Sequence, residues 1–154
     1  MASSYTSGKK WYDQVERGTV RIEAIKTSYD FQRPDLQGHP SGAVGTGFFI
    51  PLIQTQETST LFAILTCCHV VEGCAKESIK VMFPKVGKRS FTNTIIRSLC
   101  PADDLAIVII DLPNPEDKHI RDMISPIPQG TVSTGDSVSS YGYALGSDPL
   151  QYNE

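Results

Sequence analysis

Six short apolar runs, "TVRIEAI", "VGTGFFIPL", "LFAILT", "SIKVMF", "FTNTIIRSL" and "DLAIVIID", lie between residues 19 and 111, each bounded by Gly, Pro, Asp or a polar cluster. They are rich in β-branched and aromatic residues, and no ten-residue stretch among them carries the repeat of an amphipathic helix. In the first run Val20 and Ile22 alternate with Arg21 and Glu23, a period of two that buries one face of a strand. Runs of this length and spacing predict an all-β fold, an antiparallel barrel or a sandwich.

The breakers divide the chain. Residues 1–17 are polar without a sustained period and read as a flexible lead or one short helix around Trp11 and Tyr12. Residues 18–111 form the first unit, interrupted by the breaker-rich loop "SYDFQRPDLQGHPSG". Residues 112–128, "LPNPEDKHIRDMISPIP", read as a proline-rich connection with two apolar contacts at most. Residues 129–154 open a second unit, in which "GTVSTGDSVSSYGYALG" is expected to make two strands and a glycine turn. Two strands cannot bury both of their faces by themselves, so they must lean on the first unit or on something outside this sequence.

Charge and hydropathy exclude some partners. A formal net charge of −3 with no dense Lys/Arg run leaves no electrostatic footprint for nucleic acid or anionic lipid. No segment approaches the roughly 18 apolar residues of a membrane span, and the first twenty residues hold no signal-peptide core. The expectation is a protein without nucleic-acid or membrane partners, located in the cytoplasm or nucleus. Four cysteines in such a chain read as thiols rather than a disulfide framework.

Two places carry chemistry-bearing residues. The stretch "TCCHVVEGC" sets His69 among Cys67, Cys68 and Cys74 where an apolar strand ends, and "PADDLAIVII" sets Asp103 and Asp104 at the mouth of another. If those mouths are adjacent, a carboxylate accepts the imidazole Nδ1 proton and fixes His69 as a general base. If they are not, the His and the Asp are surface polar residues at strand ends. A zinc site needs about four converging ligands; only Cys67, His69 and Cys74 fit one, because Cys67 and Cys68 on a continuing strand point to opposite faces and Cys100 has no near partner. Cys68, adjacent to His69 in sequence, is badly placed as a nucleophile. Cys67, Cys68 and Cys100 read as small apolar fillers, and no metal or cofactor is expected.

In order, "GTGFFI", "LTCCHVV", "DDLAIVII" and "GDSVSSYGYALG" resemble the amino-terminal portion of the trypsin-like serine peptidases, in particular the compact class that includes the HtrA type. The resemblance spans Gly45 to Gly146. It implies a trypsin-like antiparallel β-barrel, complete here as a first barrel, with a second barrel only begun. It implies His69 as general base, with Cys67 and Cys68 in place of two alanines, and Asp104 rather than Asp103 as its carboxylate. It further implies a polypeptide substrate or protein partner and a serine in a Gly-Asp-Ser-Gly-Gly-like motif whose amides form the oxyanion hole. No such motif occurs in these residues. Ser137 of "TGDSV" lacks the two following glycines and is expected to be a strand residue. The chain by itself is therefore expected to be inactive as an endopeptidase. A reading of another class is a non-catalytic peptidase-like module that binds a partner through an unpaired sheet edge.

Overall fold

The structure, a computed structural model, describes residues 12–26, 41–53, 55, 59–84, 89–143 and 150–153. Seven antiparallel strands share one sheet: β1 (Thr19–Lys26), β2 (Ser41–Ile50), β3 (Leu61–Thr66), β4 (Cys74–Phe83), β5 (Arg89–Phe91), β6 (Thr94–Cys100) and β7 (Leu105–Asp111). Their order is β5-β4-β1-β2-β3-β7-β6. The end strand β6 approaches β4, which is next to the opposite end of that order, so the sheet curls around its own interior as a barrel.

The alternation in the sequence decides what faces inward. Val20, Ile22, Phe49, Ile64, Val81, Val108 and Ile110 are fully buried. The registers set Phe49 opposite Ile64 and Ile64 opposite Val108, a continuous apolar layer across three strands. Phe49 also stacks on Phe83 at 5.9 Å and meets Phe62 edge-on at 6.1 Å. Burial of each such side chain contributes about 1.5–3 kcal/mol, which is what makes the curled sheet stable without disulfides.

The run "FTNTIIRSL", expected to be one strand, is divided between two. Phe91 ends β5, which pairs with β4, whereas Thr94 begins β6, which pairs with β7. Thr92 and Asn93 carry the chain from one end of the sheet to the other, and the Asp111 amide donates to the Asn93 carbonyl at 3.1 Å. A run that bridges the two edges of a curling sheet cannot stay in one ladder.

The connection after β7 is more tightly integrated than its prolines suggest. Leu112, Ile120 and Ile124 all join the barrel core, one more than the two apolar contacts expected. Ile120 lies on the short helix Lys118–Met123, and Ile124 follows as its cap. Asp117, nearly buried, lies 2.9 Å from Arg89 of β5. That contact is an ion pair out of line for a hydrogen bond.

Residues 12–18 form a helix, α1, on which Val15 is buried. It packs with Tyr143 and Leu150 in a second, smaller cluster flanked by Tyr12 and Tyr141. Beside it Ser140–Gly142 and Gln151–Asn153 pair as a separate two-stranded sheet, β8 and β9. Residues 130–139, expected to supply strand, instead hold a turn in which Asp136 caps the Ser133 amide at 2.9 Å and Gly135 takes φ +95. Among the described residues, no helix is long and apolar enough to cross a membrane.

Candidate functional site

The β3 strand ends at Thr66, whose hydroxyl donates to the Thr46 carbonyl on β2 at 3.0 Å. Cys67 is extended, and Cys68–Val71 then close one short helical turn, α2. The turn can sit against β2 because Gly45 has no side chain. A Cβ there would lie 2.6 Å from Cγ2 of Val70. Val70, Val71 and Cys68 face the core and leave His69 pointing outward. The buried residues of the turn thus anchor the exposed one.

As N-cap residue, Cys67 makes no side-chain bond to the amides that open α2. Asp104, from the β6–β7 connection, supplies those bonds instead. Its carbonyl accepts from the Cys68 amide at 3.1 Å, and its Oδ1 accepts from the His69 amide at 2.8 Å. The second oxygen, Oδ2, lies 2.6 Å from His69 Nδ1. Holding that pose requires a left-handed backbone at Asp104, φ 53 and ψ 43, a conformation that Asp tolerates better than most residues. The two strand mouths are therefore adjacent, and the His69 and Asp104 side chains meet there.

The electrostatics follow from these contacts. The His69 amide, and then its ring, hold the Asp104 carboxyl below its ordinary 3.8 against an opposing desolvation effect. An ionised Asp104 can only accept, so the proton between the two lies on Nδ1 and the lone pair of the ring lies on Nε2. His69 retains 70% side-chain exposure, so that lone pair is open to an incoming proton. The pair can do what a general base with its orienter does. One contact that the sequence pattern did not signal adds to the frame: the Lys26 ammonium, at the end of β1, donates to the His69 carbonyl.

The other residues separate by location. Asp103 is exposed and accepts from the Cys100 thiol at 3.5 Å. Cys68 is fully buried, and its thiol is pushed up by burial with Glu72 and Asp104 adding to the effect, which leaves it protonated and a core filler. Cys67 and Cys100, expected as buried fillers, are exposed. Cys74 is half-buried, with its thiol toward the Val70 and Glu72 carbonyls at 3.9 and 4.0 Å. The trio of donors that does converge is Cys67, His69 and Asp104, with one ligand atom of each within 4.8 Å of the others. Asp104 thus takes the place expected of Cys74, because the strand ends at Thr66 and Cys67 turns out toward solvent.

Ser137 is not a strand residue. It follows the turn at Gly135 and lines a cavity of about 420 Å³ with Val15, Thr46, Phe48 and Tyr141, a wall that does not include His69. Thr46 connects the two areas: its carbonyl accepts from Thr66, and its hydroxyl accepts from the Tyr143 amide at 2.9 Å.

No protein-family model and no curated protein matches the sequence. Among solved structures the chain is similar to an HtrA-type protease, AlgW, solved with a decapeptide, at 18% identity and a TM-score of 0.60. The likeness covers 92% of this chain and 43% of that one, so the chain spans less than half the length of that protease. At such an identity the similarity speaks for architecture: this chain has an all-β, trypsin-like antiparallel barrel with the β8–β9 pair beside it.

Proposed function

We propose that His69 and Asp104 are the general base and the orienting carboxylate of a trypsin-like serine endopeptidase that hydrolyses peptide bonds in polypeptide substrates. The single observation that carries this reading is the 2.6 Å contact between His69 Nδ1 and Asp104 Oδ2, held by a second bond from the same carboxylate to the His69 amide. In the proposed reaction Nε2 of His69 takes the proton of a serine hydroxyl as that oxygen attacks the scissile carbonyl, and later delivers it to the leaving amine. Asp104 stays ionised throughout and stabilises the imidazolium. The motif that would supply the serine and its oxyanion hole does not occur among these 154 residues, so the chain alone is expected not to turn over.

Casein cleavage tests this with two preparations, the 154-residue chain and the full translation product of its transcript. The expected result is no turnover by the first and turnover by a product that carries a Gly-x-Ser-Gly-Gly segment. In that product His69→Ala should abolish cleavage, and Asp104→Asn should lower kcat by about 10⁴-fold through loss of the correct tautomer. Cleavage that survives His69→Ala would overturn the assignment.

A further inference from the structure

The Cys67 thiol has no part in the reaction proposed above, yet Cys67 is exposed beside both members of the pair. Its backbone is extended, φ −76 and ψ 139, immediately before α2, and this geometry turns the residue away from the core that takes Cys68. One ligand atom each from Cys67, His69 and Asp104 lie within 4.8 Å of one another. We propose that these three side chains form a binding site for one divalent cation of the zinc class, with solvent completing the coordination.

The donor set selects the cation. Thiolate, imidazole and carboxylate are the three protein ligand types of zinc, and a three-ligand site open to water is its usual exposed form. Magnesium and calcium favour oxygen-only shells, and one carboxylate is the sole oxygen-bearing side chain of this trio. The frame is already in place: the Asp104 carbonyl and carboxylate are bonded to the amides of residues 68 and 69, so the two segments that carry the donors are fixed to each other. Cys74, which turns its thiol to backbone carbonyls of its own loop, is not a ligand.

The cation and the Nδ1 proton exclude each other. Two ligands of a tetrahedral zinc at about 2.0–2.1 Å lie roughly 3.3 Å apart, whereas Nδ1 and Oδ2 are 2.6 Å apart. Binding therefore opens that contact by a fraction of an ångström, which the exposed side chains can supply by small rotations. The Cys67 thiol gives its proton to solvent, Nδ1 gives up its own, and Nε2 takes one, so one proton is released overall and the imidazole stays neutral. Affinity should accordingly rise with pH. A zinc-loaded His69 has no free base, which would make the cation an inhibitor of the activity proposed above, although the site itself does not depend on that activity.

Isothermal calorimetry of the reduced 154-residue chain with zinc chloride tests the site. One zinc per chain is expected, with affinity lowered at least about tenfold in Cys67→Ser and unchanged in Cys74→Ala. Cobalt provides an optical control: a thiolate-to-cobalt band in the near ultraviolet should appear with the wild type and be absent in Cys67→Ser, with circular dichroism showing that the variant remains folded. Absence of stoichiometric zinc, equal binding by Cys67→Ser, or loss of binding in Cys74→Ala would overturn the site. None of these outcomes bears on casein cleavage, so the two proposals fail separately.

Discussion

The barrel of β1–β7 and the small assembly of β8, β9 and the helix at residues 12–18 are held together on different scales. The barrel core is a continuous cluster drawn from β1, β2, β3, β4, β7, α2 and the segment after β7. The small assembly centres on Val15, Tyr143 and Leu150, with β8 and β9 contributing three residues each. Its other ties are individual bonds, such as the Tyr12 hydroxyl to the Leu150 carbonyl at 3.2 Å and the Tyr143 amide to the Thr46 hydroxyl. His69 and Asp104 lie wholly on the barrel. Their geometry should therefore follow the stability of the barrel and be indifferent to the small assembly.

The largest effect should come from Phe49→Ala. Phe49 is fully buried and touches Phe62 and Phe83, so its truncation leaves a cavity that rigid strands cannot close. A loss of about 3–5 kcal/mol in urea denaturation is expected. A loss below about 1 kcal/mol would mean that the barrel is not the dominant core, and the contrast would fail.

Gly45→Ala sharpens the contrast from inside the site. The added methyl would lie 2.6 Å from Val70, and α2 would have to move outward to accept it. Overpacking of this kind costs roughly 1–3 kcal/mol. Because Val70 is the neighbour of His69, the bond between Nδ1 and Oδ2 should weaken as well, visible as a loss of the downfield imidazole N–H resonance. Retention of that resonance with full stability would show that α2 is not positioned by packing on β2.

Leu150→Ala probes the other side. Leu150 is buried, but in a three-residue cluster on which few other side chains depend. The expected cost is at most about 2 kcal/mol, at the low end for a large-to-small change. The imidazole resonance of His69 should be unaltered. A change there as large as that in Gly45→Ala would break the separation between the two regions.

How much of this was legible beforehand depends on where each residue finds its partner. Strands whose burial alternates, such as β1 with Val20 and Ile22, announce their inward face locally, and the all-β class follows from several of them. The division of "FTNTIIRSL" depends on sheet closure, which no local pattern contains. The helix at Lys118–Met123 left a faint mark, the pair Ile120 and Ile124 at a spacing of four, obscured by four prolines between residues 112 and 128. The run "GTVSTGDSV" departs in the opposite direction: strand is expected there, yet its Val132 and Val138 are 72% and 63% exposed and no strand forms there before Ser140. His69 and Asp104 were legible as candidates through the order of motifs. Their contact was not, because it joins residues 35 apart through a left-handed backbone at Asp104 and a cap that Cys67 does not provide.

The smallest effect concerns the pH dependence of the barrel. The carboxyl of Asp104 is held below 3.8 in the folded chain. The unfolded chain therefore binds its proton at a higher pH than the folded chain does. Stability from this group is fully present above about 3.8, declines as pH falls, and is gone below the folded value. Asp104→Asn should flatten that part of the acid unfolding curve and leave the curve above it parallel to the wild type. His69→Ala separates the two contributions, since it removes the ring and keeps the amide, whose bond is the largest single cause. In that variant Asp104 should remain depressed, though less so, when its carboxyl carbon is titrated by NMR. A return to 3.8 would mean that the ring alone holds the carboxylate. The cap on α2 would then be incidental, and the site would owe its geometry to the exposed pair instead of to the barrel beneath it.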